Sequence, residues 1–115
     1  MEFVTVNIKD KIQSPSALTR EQGNIIYNCI VSILENGKGV QLDFGEIESL
    51  ITPFLNVAIG KLYEKYDSPK LQECLKPINV PSGKASSFNL VIENAKKYYK
   101  DRSKFEKIVK DVIDN

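Results

Sequence analysis

The residue types that could support chemistry in this chain are concentrated in a short acidic segment. Glu46 and Glu48 stand two positions apart between an apolar strand and a helix, where paired carboxylates can act as general acid and base or bind a cation. The 115-residue chain has no histidine, which removes the usual general base, imidazole metal ligands and histidine-assisted nucleophiles. Two acids without histidine do not complete a site. The sequence therefore predicts no catalytic residue, no metal and no cofactor.

Thr52, a few residues further on, has two interpretations. Its hydroxyl could accept a phosphate, because a phosphate at a helix N-terminus meets free N–H groups and a favourable dipole. Alternatively, Thr52 is an N-cap followed by Pro53 at the first helical position, where the missing N–H costs nothing. The pattern favours the N-cap and leaves phosphorylation as the alternative.

Asp43 ends the apolar strand that precedes this segment. Val40, Leu42 and Phe44 alternate with polar residues, so Asp43 lies opposite the apolar face of the strand. We expect its carboxylate to orient the loop at 45–51 by accepting backbone N–H groups, with direct contact to a partner as the alternative.

Two other patterns suggest a phosphate-binding loop and a nucleic-acid-binding surface, and neither interpretation is supported by the residues. A phosphate-binding loop at Gly83-Lys84 would need glycine at Ile78 and serine or threonine at Ala85, so we reject it. The basic run over residues 96–110 is interspersed with acids, which is typical of a solvated helix face. We therefore do not expect nucleic-acid binding there.

Composition places the chain among globular single-domain proteins. Apolar residues make up 42% and charged residues 27%, and the net charge of +1 gives no global attraction to nucleic acid. No apolar run approaches the roughly 20 residues that span a bilayer, and the N-terminal residues lack the basic region of a secretory signal. We expect a cytoplasmic protein without membrane contact, in which Cys29 and Cys74 are reduced and buried.

The elements that position the acidic segment follow from periodicity. Residues 3–8 alternate as a first strand. A capping box, Thr19 with Gln22, starts a helix with one apolar stripe that ends at Asn36-Gly37. The strand at 40–44 follows, and then a second helix with apolar residues at helical spacing up to Tyr66. A strand, a helix and a second strand in this order predict parallel pairing.

The remaining segments are less regular. We expect a turn or short irregular strand at 9–13, a loop from Asp67, and an edge or bulged strand within 71–80 because Pro77 cannot donate to a ladder. A third helix begins near Ala85. A second capping box, Ser103 with Glu106, predicts a new helix near 104. The apolar stripe of that last helix consists of Phe105, Ile108, Val109, Val112 and Ile113.

The order of strand, helix, Val-x-Leu-Asp-Phe, short loop and Thr-Pro-Phe helix resembles the STAS-like domains. It is similar to the anti-sigma-factor antagonists, which have a Leu-Asp-Leu strand followed by an Asp-Ser-x-Gly loop and a helix. It resembles more closely the bacterial STAS-like domain family of unknown function, over about residues 14–100. In the antagonists a histidine-kinase-fold ATPase phosphorylates the loop serine. Thr52 matches that serine, whereas Ile51 and Phe54 replace the aspartate and the glycine.

The resemblance implies an α/β fold: a small mixed sheet of three to five strands, with helices packed largely on one side. We expect a STAS-like domain at 1–100 and an extra C-terminal helix at 101–115 that packs on the same domain. The implied function is a non-enzymatic, regulatory protein-interaction module that binds a histidine-kinase-fold ATPase or a related signalling partner. The alternative is a ligand- or nucleotide-sensing domain with the loop at 45–52 as pocket rim. The expected contact surface is Glu46, Glu48, Ser49, Thr52, Phe54 and Asn56.

Overall fold

The computed structural model describes the backbone of residues 1–114 and the side chains of residues 1–99. Three parallel strands form the main sheet in the order β1 (Phe3–Asn7), β3 (Gly39–Asp43) and β5 (Leu75–Ile78). A second parallel ladder joins β2 (Ser16–Ala17) to β4 (Ser49–Leu50). The α/β class and the predicted strand number are confirmed, but all ladders within residues 1–114 are parallel, so the sheets that the structure describes are not mixed as predicted.

One face of the main sheet is covered and the other is open. Paired residues of parallel strands point to the same face, and the pairs of Val4 with Val40 and of Val6 with Leu42 form the covered face. Val6, Val40 and Leu42 are all fully buried. The register places polar side chains such as Thr5 and Gln41 on the open face, where their oxygens lie 3.0 Å apart in a hydrogen bond. Helices therefore cover essentially one side, as predicted.

Helix α2 (Arg20–Glu35) begins and ends as its sequence predicts. The Thr19 hydroxyl accepts the Gln22 N–H at 3.1 Å, and the Gln22 side-chain oxygen accepts the Thr19 N–H at 3.0 Å. Asn36 is the C-cap, followed by Gly37 in the left-handed region at φ 77°. The buried stripe is narrower than the periodicity predicts, because Ile25 is 48% exposed.

A central helical segment follows β4 in three pieces: α3 (Thr52–Leu55), a π-helical turn (Asn56–Gly60) and α4 (Leu62–Lys65). Its N-cap is Ile51, which makes no side-chain capping bond. The prediction that Thr52 is the N-cap is therefore wrong. Ile51 N–H bonds to the Ala17 carbonyl, so the β2–β4 ladder keeps Ile51 extended, and the helix begins at Thr52, one residue earlier than predicted.

Two short helices replace segments that the sequence did not predict as helical. Helix α1 (Ile8–Ile12) stands where we predicted a turn or strand; the Asn7 side chain caps it by accepting the Asp10 N–H at 2.9 Å. Helix α5 (Ser68–Cys74) stands where we predicted a loop, capped by the Asp67 carboxylate. Asn and Asp are strong N-caps, and this local signal outweighed the polar composition of both segments.

The edge position of β5 is confirmed. It pairs only with β3 in the part of the chain that the structure describes, and Pro77 lies opposite Leu42. Cys74, just before it, is buried, whereas Cys29 is half-buried, and both are free thiols.

The C-terminal helix α6 is one continuous element, Ala85–Asp114, so the prediction of a new helix near residue 104 is wrong. Mixed charges do not interrupt a helix whose residues have good helical propensity. The Phe88 ring packs edge-on against Phe44 with centroids 5.8 Å apart, and Val91 is buried. The predicted packing of residues 101–115 on the same domain depends on side chains outside the described residues. No helix of the described residues is both long and apolar enough to cross a membrane.

Candidate functional site

The Asp43 carboxylate holds the beginning of the loop that follows β3. Its Oδ1 accepts the Gly45 N–H at 2.8 Å and the Asn79 Nδ2 at 3.0 Å, and its Oδ2 accepts the Asn7 Nδ2 at 3.5 Å. The Asn79 side chain and the Gly45 N–H together hold the Asp43 pKa below its usual value, because both stabilise the ionised form. These three partners lie at the carboxyl ends of β1, β3 and β5.

The rest of the loop is held by backbone hydrogen bonds. Ile47 N–H donates to the Phe44 carbonyl at 3.1 Å, and Glu48 N–H donates to the Pro15 carbonyl at 2.7 Å. The side chains of Ile47 and Leu50 are buried in the core. The backbone of the loop is therefore held in one conformation, and this defines the positions from which its exposed side chains project.

Glu46 and Glu48 are the exposed acids of this loop. Glu46 adopts the left-handed region at φ 65°, which is uncommon for a residue with a side chain. Its carboxylate lies 3.4 Å from the Lys9 ammonium, a pair that is largely exposed and contributes little to stability. Within residues 1–99 no group of three or more potential metal ligands comes together.

The start of α3 presents Thr52 and Asn56 to solvent, one turn apart. Ser49 lies in β4, a few residues before Thr52, and its side chain is half-buried. Phe54 is different: it is 0% exposed and belongs to the hydrophobic core. The prediction that Phe54 forms part of a contact surface is wrong, because α3 turns this side chain inward.

A wide groove opens beside Thr52 and Asn56. It has a volume of about 840 Å³ and runs between the start of α2, the central helical segment and α6. We call it the Tyr98 groove. Its polar lining consists of Arg20, Thr52, Asn56, Lys61, Tyr98 and Tyr99.

Two features fix the shape of the Tyr98 groove. Gly23 lets α2 approach the central segment, because a Cβ there would lie 2.8 Å from the Phe54 carbonyl oxygen and 2.9 Å from the Val57 Cβ. The π-helical turn carries Asn56, whose carbonyl accepts the Lys61 N–H at 3.0 Å. Single π-turns inside helices occur frequently at functional sites.

Sequence analysis found the loop but not the groove. Asn7 and Asn79 could have been suspected as partners of Asp43, because both follow strands whose carboxyl ends meet at one sheet edge. Arg20 and Lys61 lie 41 positions apart on different helices, and the only sequence signal near them was ordinary surface charge. Their proximity follows from how α2 packs, which periodicity does not determine.

The comparisons with known proteins agree with this architecture. A family model described as a STAS-like domain of unknown function (DUF4325) matches residues 22–83, from the first turn of α2 to the loop before α6. No curated protein and no solved structure matches the chain. Because the matched residues are more than half of the 115-residue chain, this protein belongs to the family of STAS-like domains of unknown function.

Proposed function

We propose that this protein is a non-enzymatic regulatory module that binds a signalling protein in the bacterial cytoplasm. The leading partner class is the histidine-kinase-fold ATPases, which the resemblance to anti-sigma-factor antagonists favours. Membership of the STAS-like family supports a regulatory role. The observation that carries the proposal is the loop after β3, which presents exposed acids on a backbone that is hydrogen-bonded on both sides.

A loop that is already ordered binds a protein more favourably than one that must become ordered on binding. Ordering a flexible segment opposes association, and a preorganised one avoids most of that loss. Glu46 and Glu48 are therefore suited to pair with cationic side chains of a partner, and Thr52 and Asn56 extend the same contact surface along the start of α3. Ser49 is its half-buried member.

Affinity capture tests this proposal with variants of the loop. The tagged protein and a variant carrying Glu46→Lys and Glu48→Lys would be used to capture proteins from lysate of the source cells, followed by mass spectrometry. The control, Glu73→Lys, reverses an exposed acid on α5. We expect a histidine-kinase-fold ATPase to be enriched by the wild type and the control and lost with the loop variant. Equal recovery with all three proteins would refute the loop surface.

The Tyr98 groove favours one alternative. Because it reaches Thr52, the last residue of the loop at 45–52, a small ligand such as a nucleotide could bind with the end of that loop as its rim. A ligand that binds the folded state raises the melting temperature with its concentration. A nucleotide panel that raises the melting temperature of the wild type, together with an empty capture, would favour ligand sensing over protein recognition.

A further inference from the structure

We propose that the Tyr98 groove binds an acidic segment of the partner protein, and that this segment also carries apolar side chains. The inference rests on the proposed function, since the segment belongs to the protein that contacts the loop after β3. It assigns a second contact region, which shares Thr52 and Asn56 with the loop surface but whose charged residues have the opposite sign. The partner would then present cationic groups to Glu46 and Glu48 and acidic groups to the groove.

The charge of the groove indicates the chemistry of its occupant. Arg20 and Lys61 are its charged residues, and no carboxylate is among the lining residues that the structure describes. Neither Arg20 nor Lys61 belongs to an ion pair within residues 1–99. The Lys61 ammonium lies 4.5 Å from the centre of the Tyr27 ring, a contact that leaves its charge uncompensated. Two cations with no neutralising acid among the side chains of residues 1–99 attract a negatively charged occupant.

Tyr98 gives the groove an aromatic anchor. Its side chain is 61% exposed and packs edge-on against Tyr99 with centroids 4.8 Å apart. Tyrosine and arginine, which both line this groove, are among the residue types enriched at the energetic hot spots of protein interfaces. The same exposure would add little to the binding of a small inorganic anion, so the aromatic lining favours a polypeptide.

Two exposed apolar side chains belong to residues that lie close in the chain to Arg20 and Thr52 of the groove. Leu18 and Ile51 are 42% and 39% exposed, although both are large and apolar. They directly follow the paired residues Ala17 and Leu50, and the Ile51 N–H bonds to the Ala17 carbonyl at 3.2 Å, so they stand side by side next to Thr52. Adjacent exposed apolar residues with polar residues around them are typical of an interaction surface. They account for the apolar side chains that we assign to the occupant.

The test uses the full chain with the two cations reversed. Arg20→Glu and Lys61→Glu would be combined in one variant. The matched control combines Lys11→Glu and Lys70→Glu, which reverse two exposed lysines on α1 and α5. Far-UV circular dichroism and a melting curve first establish that both variants fold. In the capture experiment we expect partner recovery to fall about tenfold with the groove variant and to be unchanged with the control.

The outcomes separate this inference from the proposed function. A partner that is lost with the loop variant but captured normally by the groove variant would overturn the groove and leave the loop surface intact. A partner that is retained by the loop variant and lost with the groove variant would overturn the loop surface and support the groove as the contact region.

If no partner is captured, a labelled peptide of alternating glutamate and leucine serves as the probe in fluorescence anisotropy. We expect it to bind the wild type and the control, more weakly at high salt, and not the groove variant. No binding to the wild type would overturn the inference. So would inorganic phosphate or a nucleotide that displaces the peptide and binds tightly alone, since the groove would then be a small-anion site.

Discussion

The loop after β3 and the Tyr98 groove meet at Thr52, and they are built by different forces. Hydrogen bonds hold the loop: the Asp43 carboxylate fixes its first turn, and the carbonyl of Pro15, the residue before β2, accepts the Glu48 N–H. Packing shapes the groove, because helical segments form its walls and Gly23 allows the close approach of α2 to the central one. The comparison teaches that removing a polar group should disturb the loop, whereas adding or removing volume should disturb the groove.

The largest effect should come from a change at Phe54, the buried residue of α3 that follows Thr52 and Pro53 of the groove lining. Phe54→Ala removes a fully buried ring and should lower the free energy of unfolding by about 3–5 kcal/mol. Thr52→Ala, two residues away, should change it by less than about 0.5 kcal/mol, because the exposed Thr52 side chain caps nothing. Urea denaturation measures both values. A loss of about 1 kcal/mol in Thr52→Ala would instead support the capping role that the sequence predicted.

Adding volume at the helix contact should have the next largest effect. Gly23→Ala should lower the free energy of unfolding by about 1–3 kcal/mol, because the added Cβ would overlap the Phe54 carbonyl and Val57. Gly60→Ala is the matched control. Its Cβ would lie 3.7 Å from that of Ala95, an ordinary contact. The same urea titration should show Gly60→Ala unchanged or slightly stabilised; equal losses in the two variants would contradict a groove set by close approach at Gly23.

Removing the polar group that fixes the loop should have an effect of similar size that depends on pH. Asp43→Ala should lower the free energy of unfolding by about 1–3 kcal/mol at neutral pH, since three hydrogen bonds are lost. Folding depresses the Asp43 pKa, so the charged form adds stability above the unfolded-state pKa of about 4 and loses it as the pH falls through the folded-state pKa.

The denaturation curves of wild type and Asp43→Ala should therefore converge in acid. Asp10→Ala, which removes an exposed carboxylate of α1, serves as the control. A gap between wild type and Asp43→Ala that is constant from neutral pH into acid would show that the ionised carboxylate does not hold the loop.

The smallest effect should come from the ion pair of the loop. Lys9→Ala removes the 3.4 Å contact to Glu46, which is largely exposed, and should change stability by less than about 0.5 kcal/mol. Thermal denaturation at low and high salt measures it. A loss that exceeds 1 kcal/mol and disappears at high salt would show that charge pairing, rather than backbone hydrogen bonding, holds the loop.

The sequence predicted the parts of the fold that local patterns specify. The alternation of Val40, Leu42 and Phe44 predicted β3, and the Thr19–Gln22 capping box predicted the start of α2. Predictions failed where a tertiary contact decides the local structure. The β2–β4 ladder moved the N-cap from Thr52 to Ile51, which no propensity of Thr-Pro indicates.

In the candidate site, too, local patterns predicted some features and tertiary contacts determined the others. Glu46 and Glu48 were identifiable because a loop that follows an apolar strand carries its polar residues outward. Phe54 was assigned to the surface from its place in a family motif, whereas its apolar side chain and helical phase already indicated burial. The groove was not predictable from one sequence, since Arg20, Lys61 and Tyr98 come from three helices brought together by packing.

The most direct test of the central claim is the quantity of partner captured by the wild type and by the Glu46→Lys, Glu48→Lys variant, compared by quantitative mass spectrometry. Melting curves of the two proteins establish that both are folded. We expect a near-stoichiometric signalling ATPase with the wild type and a loss of at least about tenfold with the variant. Equal recovery by two folded proteins would contradict the claim that this loop is the surface through which the protein acts.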